Sequence, residues 1–463
     1  MRRTYWLRIL IVACVLVVIV AQRASAQESV RKEAEASGLT TQAPVPDDIY
    51  WDDRFTTRGV SGQVNAIAVS GSNVYVGGNF ANADNIVVNR IAKWNGSNWS
   101  ALGEGVGCGV SYCSPSVYAI AVNGSDVYVG GIFTSAGGIP ASSIAVWNGS
   151  SWSALGAGVD GAVYAIAVSG NDVFVGGYFT TAGGVSAHSI AKWNALTHTW
   201  SGLGAGEGVF GGGYCYQCKS GMISVAAIAV SGSNVYVGGY FTSASGIDVN
   251  YIAKFDGVGW SALGSGVSFG SQTYYSPHVS AIAVSGNNVY VAGFFDTAGG
   301  VSANNVAVWD GNNWLPLGSG VSAGGYCGSN GVSSIVVSGT SVYVSGTFQA
   351  GGINNGIAVW DGINWNAVGG VISNESGCPT VNAIALGGTG LYAGGLFTRA
   401  GDTPVNNLAR WMSSSWFAVG NSADNGIEGT ISAIGVSGND VYVGGCLSRI
   451  GSVSAHNIAK WNT

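Results

Sequence analysis

Ala119-Ile120-Ala121-Val122, Val127-Tyr128-Val129-Gly130-Gly131, Ile144-Ala145-Val146-Trp147 and Trp152-Ser153-Ala154-Leu155-Gly156 follow one another along the chain. Each piece is four or five residues, rich in β-branched and aromatic side chains, and bounded by Gly, Asn or Ser. That composition, with those borders, predicts a short strand. The pattern of four strands joined by turns recurs at about fifty residues per unit, and such a unit cannot bury both its faces alone. Four antiparallel strands repeated in this way predict one blade of a β-propeller.

The units run approximately 63–115, 116–161, 162–224, 225–277, 278–330, 331–380, 381–429 and 430–463. An aromatic residue in the second strand keeps the register: Tyr75, Tyr128, Phe174, Tyr236, Tyr290, Tyr343, Tyr392 and Tyr442. A second aromatic series ends the third strand: Trp94, Trp147, Trp193, Phe255, Trp309, Trp360, Trp411 and Trp461. The last unit has three strands, and Thr463 follows the third. A stretch resembling a fourth strand, within 49–60, precedes the first unit. The expected fold is all-β: an eight-bladed β-propeller of four-stranded blades spanning 48–463. Its last blade is closed by the N-terminal strand, with Trp51–Phe55 pairing with Ile458–Trp461. Closure of this kind removes the exposed edges of a linear stack.

Residues 1–26 stand outside the repeats. Arg2 and Arg3, an apolar run from Ile9 to Ala21 and Ala24-Ser25-Ala26 form the pattern of a secretory signal peptide cut after Ala26. An uncleaved anchor remains the alternative reading of the same run. Residues 27–47 are polar, carry Pro44 and Pro46, and read as a flexible spacer. No later segment is long and apolar enough to insert in a membrane. Of 17 basic and 23 acidic residues, the first 26 hold four arginines and no acid, which leaves the mature chain at −10. That excess of acid excludes nucleic acid as a partner. Only 9% of residues are charged, so Ser, Asn, Thr and Gly must cover the surface.

The first-to-second turns (Ser70-Gly71-Ser72-Asn73) and third-to-fourth turns (Asn95-Gly96-Ser97-Asn98) are tight, as Gly and Asn allow. The second-to-third and fourth-to-first connections are longer. Because strand direction alternates, both long sets belong on one face, which becomes the candidate functional surface. The fourth-to-first loops hold aromatics outside the repeat: Tyr112, Phe210, Tyr214, Tyr216, Phe269, Tyr274, Tyr275 and Tyr326. Tyrosine on ordered loops suits recognition of a protein or glycan, so these eight are the candidate ligand-binding residues. The recurrent tryptophans, by contrast, are expected to pack between units. The same loops carry the disulfide candidates Cys108, Cys113, Cys215, Cys218, Cys327 and Cys378. A local bond is expected between the first two, and Cys327 with Cys378 could bridge neighbouring blades. Cys446 is left over, and its place after Gly444-Gly445 reads as buried and free.

The Val-Tyr-Val-Gly-Gly core, the aromatic ending the third strand and the Trp152…Leu155-Gly156 opening of the fourth resemble kelch-type propellers. The wording is similar also to secreted bacterial repeats and to the propeller of fungal cortical cell-polarity markers. The resemblance implies a propeller with extracellular or surface placement, and no single chemistry. Propeller glycosidases place carboxylate pairs near the channel. The first-strand segments Val64–Ile67, Val117–Ile120, Val225–Ile228, Val279–Ile282 and Val381–Ile384 contain no Asp, Glu or His. No catalytic residue is therefore assigned. His188, His198, His278 and His456 are scattered, and His188 and His456 read as turn residues, so no metal site is assigned. Asp248, Asp296 and Asp402 sit one to a loop, whereas calcium needs several converging oxygens. No cofactor is expected, with calcium the one ion left open.

The expectation is a secreted or cell-surface, monomeric, non-enzymatic propeller that binds a protein or glycan through its loop-rich face. Two alternatives remain: a carbohydrate-active hydrolase or lyase using Glu104, Glu207 or Glu375 on the long loops, and a structural envelope component.

Overall fold

The computed structural model describes residues 59–462 apart from 110–112, 205–207, 212–222, 271–275, 324–330, 351–352, 375–378, 388–389, 420–426, 451–452 and 455. Among these there are strands and turns and no helix. Each of the first seven repeats forms an antiparallel sheet whose four main strands lie in chain order. In the second repeat they are Ser116–Asn123, Asp126–Ile132, Ile144–Trp147 and Trp152–Ala154. The eighth contributes Ile427–Ser437, Asp440–Ile450 and Ile458–Asn462. The expected fourth strand of that sheet, Trp51–Phe55, lies outside the described residues. All-β repeats of this kind fit a propeller-like fold.

The Gly pair in six of the eight second strands, replaced by Ala292-Gly293 in unit five and Ser345-Gly346 in unit six, explains how the sheets meet. A Cβ on Gly130 would collide with Val163 Cγ1 of the next unit and come within 3.0 Å of Ile166 Cδ1. The first glycine thus lets the following unit's first strand press flat against the sheet. The second glycine faces inward along its own sheet, where a Cβ on Gly131 would run into the Ser116 carbonyl. At this point the first strand bulges in every unit, with the extra residue at Asn65, Tyr118, Tyr164, Ala226, Ser280, Ser333, Asn382 and Ser432. Glycine is thus required by close backbone approach around the bulge, not by a phosphate.

Tryptophan supplies the other half of the contact. The indole N–H of Trp260 donates to the Leu203 carbonyl of the preceding unit at 2.9 Å, and that of Trp416 to the Val368 carbonyl at 2.7 Å. Trp152, Trp200, Trp314 and Trp365 do the same to the carbonyls of Leu102, Leu155, Leu263 and Leu317. Each fourth-strand ring also tilts against the third-strand aromatic of its own sheet, as Trp94 does with Trp99 at 5.4 Å. Trp94, Trp99, Trp152, Trp260, Trp314 and Trp416 are all buried. The tryptophans are core, as their recurrence predicts. Burying one such ring stabilises by about 5 kcal/mol at ~25 cal/mol per Å² over roughly 200 Å².

The contacts continue from the last unit to the first. A Cβ on Gly444 would collide with Val64 Cγ1, and one on Gly435 would approach Ile67 Cγ2 at 2.8 Å. On the loop side, Asn305 and Asn407 donate through Nδ2 to the carbonyls of Val321 and Ile427. Asn457 makes the equivalent bond to Val60, 2.7 Å long and spanning 397 positions of sequence. Val60 N–H in turn donates to the His456 carbonyl at 2.6 Å.

The unit boundary yields two tests. Gly238→Ala places a methyl on Val279 Cγ1 and within 3.1 Å of Ile282 Cδ1. It should destabilise by about 1–3 kcal/mol, and Val279→Ala in the same chain should recover part of that loss in urea unfolding. Trp260→Phe leaves the Leu203 carbonyl without its donor and should cost about 1–3 kcal/mol in the same measurement.

Candidate functional site

The two sets of long connections share one face and are woven together there. The second-to-third connection is itself a small hairpin, such as Ser135–Ala136 with Ile139–Pro140. The fourth-to-first connection of the preceding unit adds a strand to it, Val106–Gly107 pairing with Ser135–Ala136. The same arrangement joins Val209–Phe210 to Ser243–Ala244 and Val267–Ser268 to Thr297–Ala298. These hairpins are too short to carry a periodic signal, so the sequence shows them only as long loops.

Of the eight candidate ligand-binding aromatics, Phe210 and Phe269 are described. Phe210 lies 4.3 Å from the His188 ring. Phe269 meets Phe294 edge-on at 4.9 Å. Tyr112, Tyr214, Tyr216, Tyr274, Tyr275 and Tyr326 lie outside the described residues, as do Cys215, Cys218, Cys327, Cys378, Glu207 and Glu375. Cys108 and Cys113 are bonded to each other. Their loop borders a cleft of about 400 Å³ between units one and two, lined in part by Arg90, Glu104 and Ser135.

Cys446 corrects an expectation. It is free, but the residue is exposed rather than buried. It sits one place beyond the Gly pair, where the second strand emerges onto the loop-rich face. Its thiol is partly enclosed, and that burial pushes its pKa up. Iodoacetamide should label Cys446 in the folded protein, slowly at neutral pH and faster as pH rises, and leave Cys108 and Cys113 unlabelled until reductant is added. Peptide mass mapping reads the outcome.

The structure also reveals aromatics that lie in strands rather than loops. The residue after the Gly pair is Asn79, Ile132, Tyr178, Tyr240, Phe294, Thr347, Leu396 or Cys446. It pairs with the opening residue of the first strand, as Ser116 with Ile132 and His278 with Phe294. In units three to five this place is aromatic, and in units two and three the bulge residue is too. Tyr118 and Tyr164 rings lie 5.9 Å apart. Tyr164 is pushed up to about 12 by burial, with Tyr118 and Tyr178 opposing its ionisation. Tyr178 stands 48% exposed. Tyr240 stacks on His278 at 4.5 Å, and His278 is 6.0 Å from Phe294. These rings were hidden because aromatics inside strands read as core. Their departure from the otherwise strict repeat is the signal that could have found them.

Two first strands carry groups beyond the segments read from sequence. His278 opens the strand His278–Ser285, and Ile427–Ser437 includes Glu428 opposite Arg449. His278 is 7% exposed, and its Nδ1 has no hydrogen-bond partner among the described residues. Burial lowers its pKa to about 4, against a smaller opposing effect of the Ser276 backbone. An unfolded histidine takes its proton near 6.5, so the unfolded state binds the proton first on acidification. Stability should be complete above about pH 6.5 and fall by about 3 kcal/mol in all as pH drops to 4. His278→Phe should flatten that decline in thermal melts followed across the same range.

His188 and His456 act through their backbone carbonyls, which accept from Val209 and Val60. Asp296 accepts from the Gly270 N–H at 2.7 Å, Asp402 offers its carbonyl to Arg399 at 2.9 Å, and Asp248 is exposed on a hairpin. Among the described residues no three His, Cys, Asp or Glu side chains gather as metal ligands would.

No protein-family model and no curated protein matches the chain. Among solved structures it is similar to the computationally designed Ika8 protein. The TM-score is 0.50 at 16% identity, over 88% of this chain and 98% of that one. Such a likeness speaks for the fold alone.

Proposed function

We propose that this chain is a secreted or cell-surface, non-enzymatic binding module: a kelch-like, eight-bladed propeller that holds a protein or glycan on its loop-rich face. The observation that carries this reading is the gathering of non-repeating aromatics on that one face, in units two to five. Rigid strands present these rings, and aromatics held in place lose little entropy on binding. The Gly444 and Gly435 contacts with Val64 and Ile67, and the bond from Asn457 to Val60, support closure by residues 49–60. The Cys108–Cys113 bond supports an oxidising location, reached through a cleaved segment 1–26.

A second reading, a carbohydrate-active enzyme, draws on Glu104, which lies exposed at the cleft beside Arg90. Purified residues 27–463 should retain ligand from a glycan array or an envelope extract and release no product. Product formation lost in Glu104→Gln or Glu207→Gln, with melting temperature unchanged, would overturn the binding-only reading.

A further inference from the structure

We infer that the arc of rings formed by Tyr118, Tyr164, Tyr178, Tyr240, His278 and Phe294 is a binding site for a neutral oligosaccharide. The inference rests on the reading of the chain as a binding module and names the ligand class of that site.

The rings form two groups at one level of neighbouring units. The second strand of each unit lies against the first strand of the next. The residue after one Gly pair therefore meets the opening of the neighbouring first strand, as Tyr240 meets His278. Tyr118 and Tyr164 are the bulge residues of units two and three and Tyr178 follows the Gly pair of unit three, while Tyr240, His278 and Phe294 occupy units four and five.

Charge selects the ligand. Three places per unit form this level: the opening residue of the first strand, its bulge residue and the residue after the Gly pair. In eight units, taking Thr430 opposite Cys446 as the first place of the eighth, they hold Asn, Gln, Ser, Thr, Tyr, Ala, Gly and single Ile, His, Phe, Leu and Cys residues, and no Asp, Glu, Lys or Arg. His278 is neutral at pH 7. A phosphate, a uronic acid or a charged peptide would lose its hydration here and gain no counter-charge. A neutral sugar has what the site can use. Its C–H face packs on a ring, and its hydroxyls meet phenol groups and the buried Nδ1 of His278, which has no hydrogen-bond partner among the described residues.

Shape points the same way. Exposure is highest at Tyr178, 48%, intermediate at Tyr164 and Tyr240, and lowest at Tyr118, His278 and Phe294, each at 7%. A single sugar chain needs only the open ring of Tyr178 and its partly open neighbours, whereas a broad protein surface would rest on the surrounding hairpins.

Cello-, xylo-, manno- and chitohexaose, with hexagalacturonate as the charged comparison, should be titrated calorimetrically into residues 27–463. At least one neutral hexamer should bind and hexagalacturonate should not. Tyr178→Ala and Tyr240→Ala should each weaken binding about tenfold, the loss of one ring's stacking. Tyr178→Phe, which keeps the ring, should stay within about threefold, and Leu315→Ala, on an outer strand, should change nothing. Melting temperatures confirm that the variants fold. Binding of a neutral hexamer that survives both alanine variants and disappears in Phe210→Ala would overturn the arc and leave the binding module standing. Capture of an envelope protein by a chain that binds none of the hexamers would do the same. Hydrolysis of a hexamer would overturn the binding-only reading instead, and the tyrosine variants would still decide the arc.

Discussion

Six of the eight units hold the next by letting its branched side chain seat where they have no side chain of their own. Val163 occupies the space above Gly130, and Val279 the space above Gly238. Dispersion falls steeply with a gap of even half an ångström, so contact this close is what makes the boundary dense. The tryptophan bonds depend on it. The indole of Trp260 reaches Leu203 across 57 positions of sequence because the two sheets already touch. A lone unit would leave one apolar face wet and one indole without its acceptor.

The same approach of backbones sets the bulge, and the bulge shapes the working face. The second glycine of each pair yields space to the widened first strand. One residue later comes a place that every unit offers and that packing does not dictate. Below it, valine, isoleucine and alanine recur almost without change. Above it, the residues differ from unit to unit. The repeated packing and the variable place are thus separated by a single step along the strand.

The sheets were legible in the sequence because each strand states itself locally. Val127–Gly131 is bounded by turn residues, and its aromatic and glycines recur at fixed intervals. The roles of the tryptophans and the Gly pair followed from recurrence alone. The small hairpins did not show, since two paired residues have no period to detect. Neither did the arc. Tyr178, Tyr240 and Phe294 sit at strand ends, where composition cannot separate a ring that faces a neighbour from one that faces solvent. Cys446 misled for the same reason: its position beside two buried glycines implied burial, while alternation along the strand turns it to solvent between buried Gly445 and Leu447.

The place after the Gly pair is a slot in a rack. Its occupants here are Asn, Ile, Tyr, Tyr, Phe, Thr, Leu and Cys, and the rack beneath them barely varies. Gene duplication copies a unit with its slot, and later mutation can refill one slot without disturbing its neighbours. A lineage built this way would keep its architecture while changing what it holds. Resemblance between two such chains would then report their shared ancestry far better than their shared ligand.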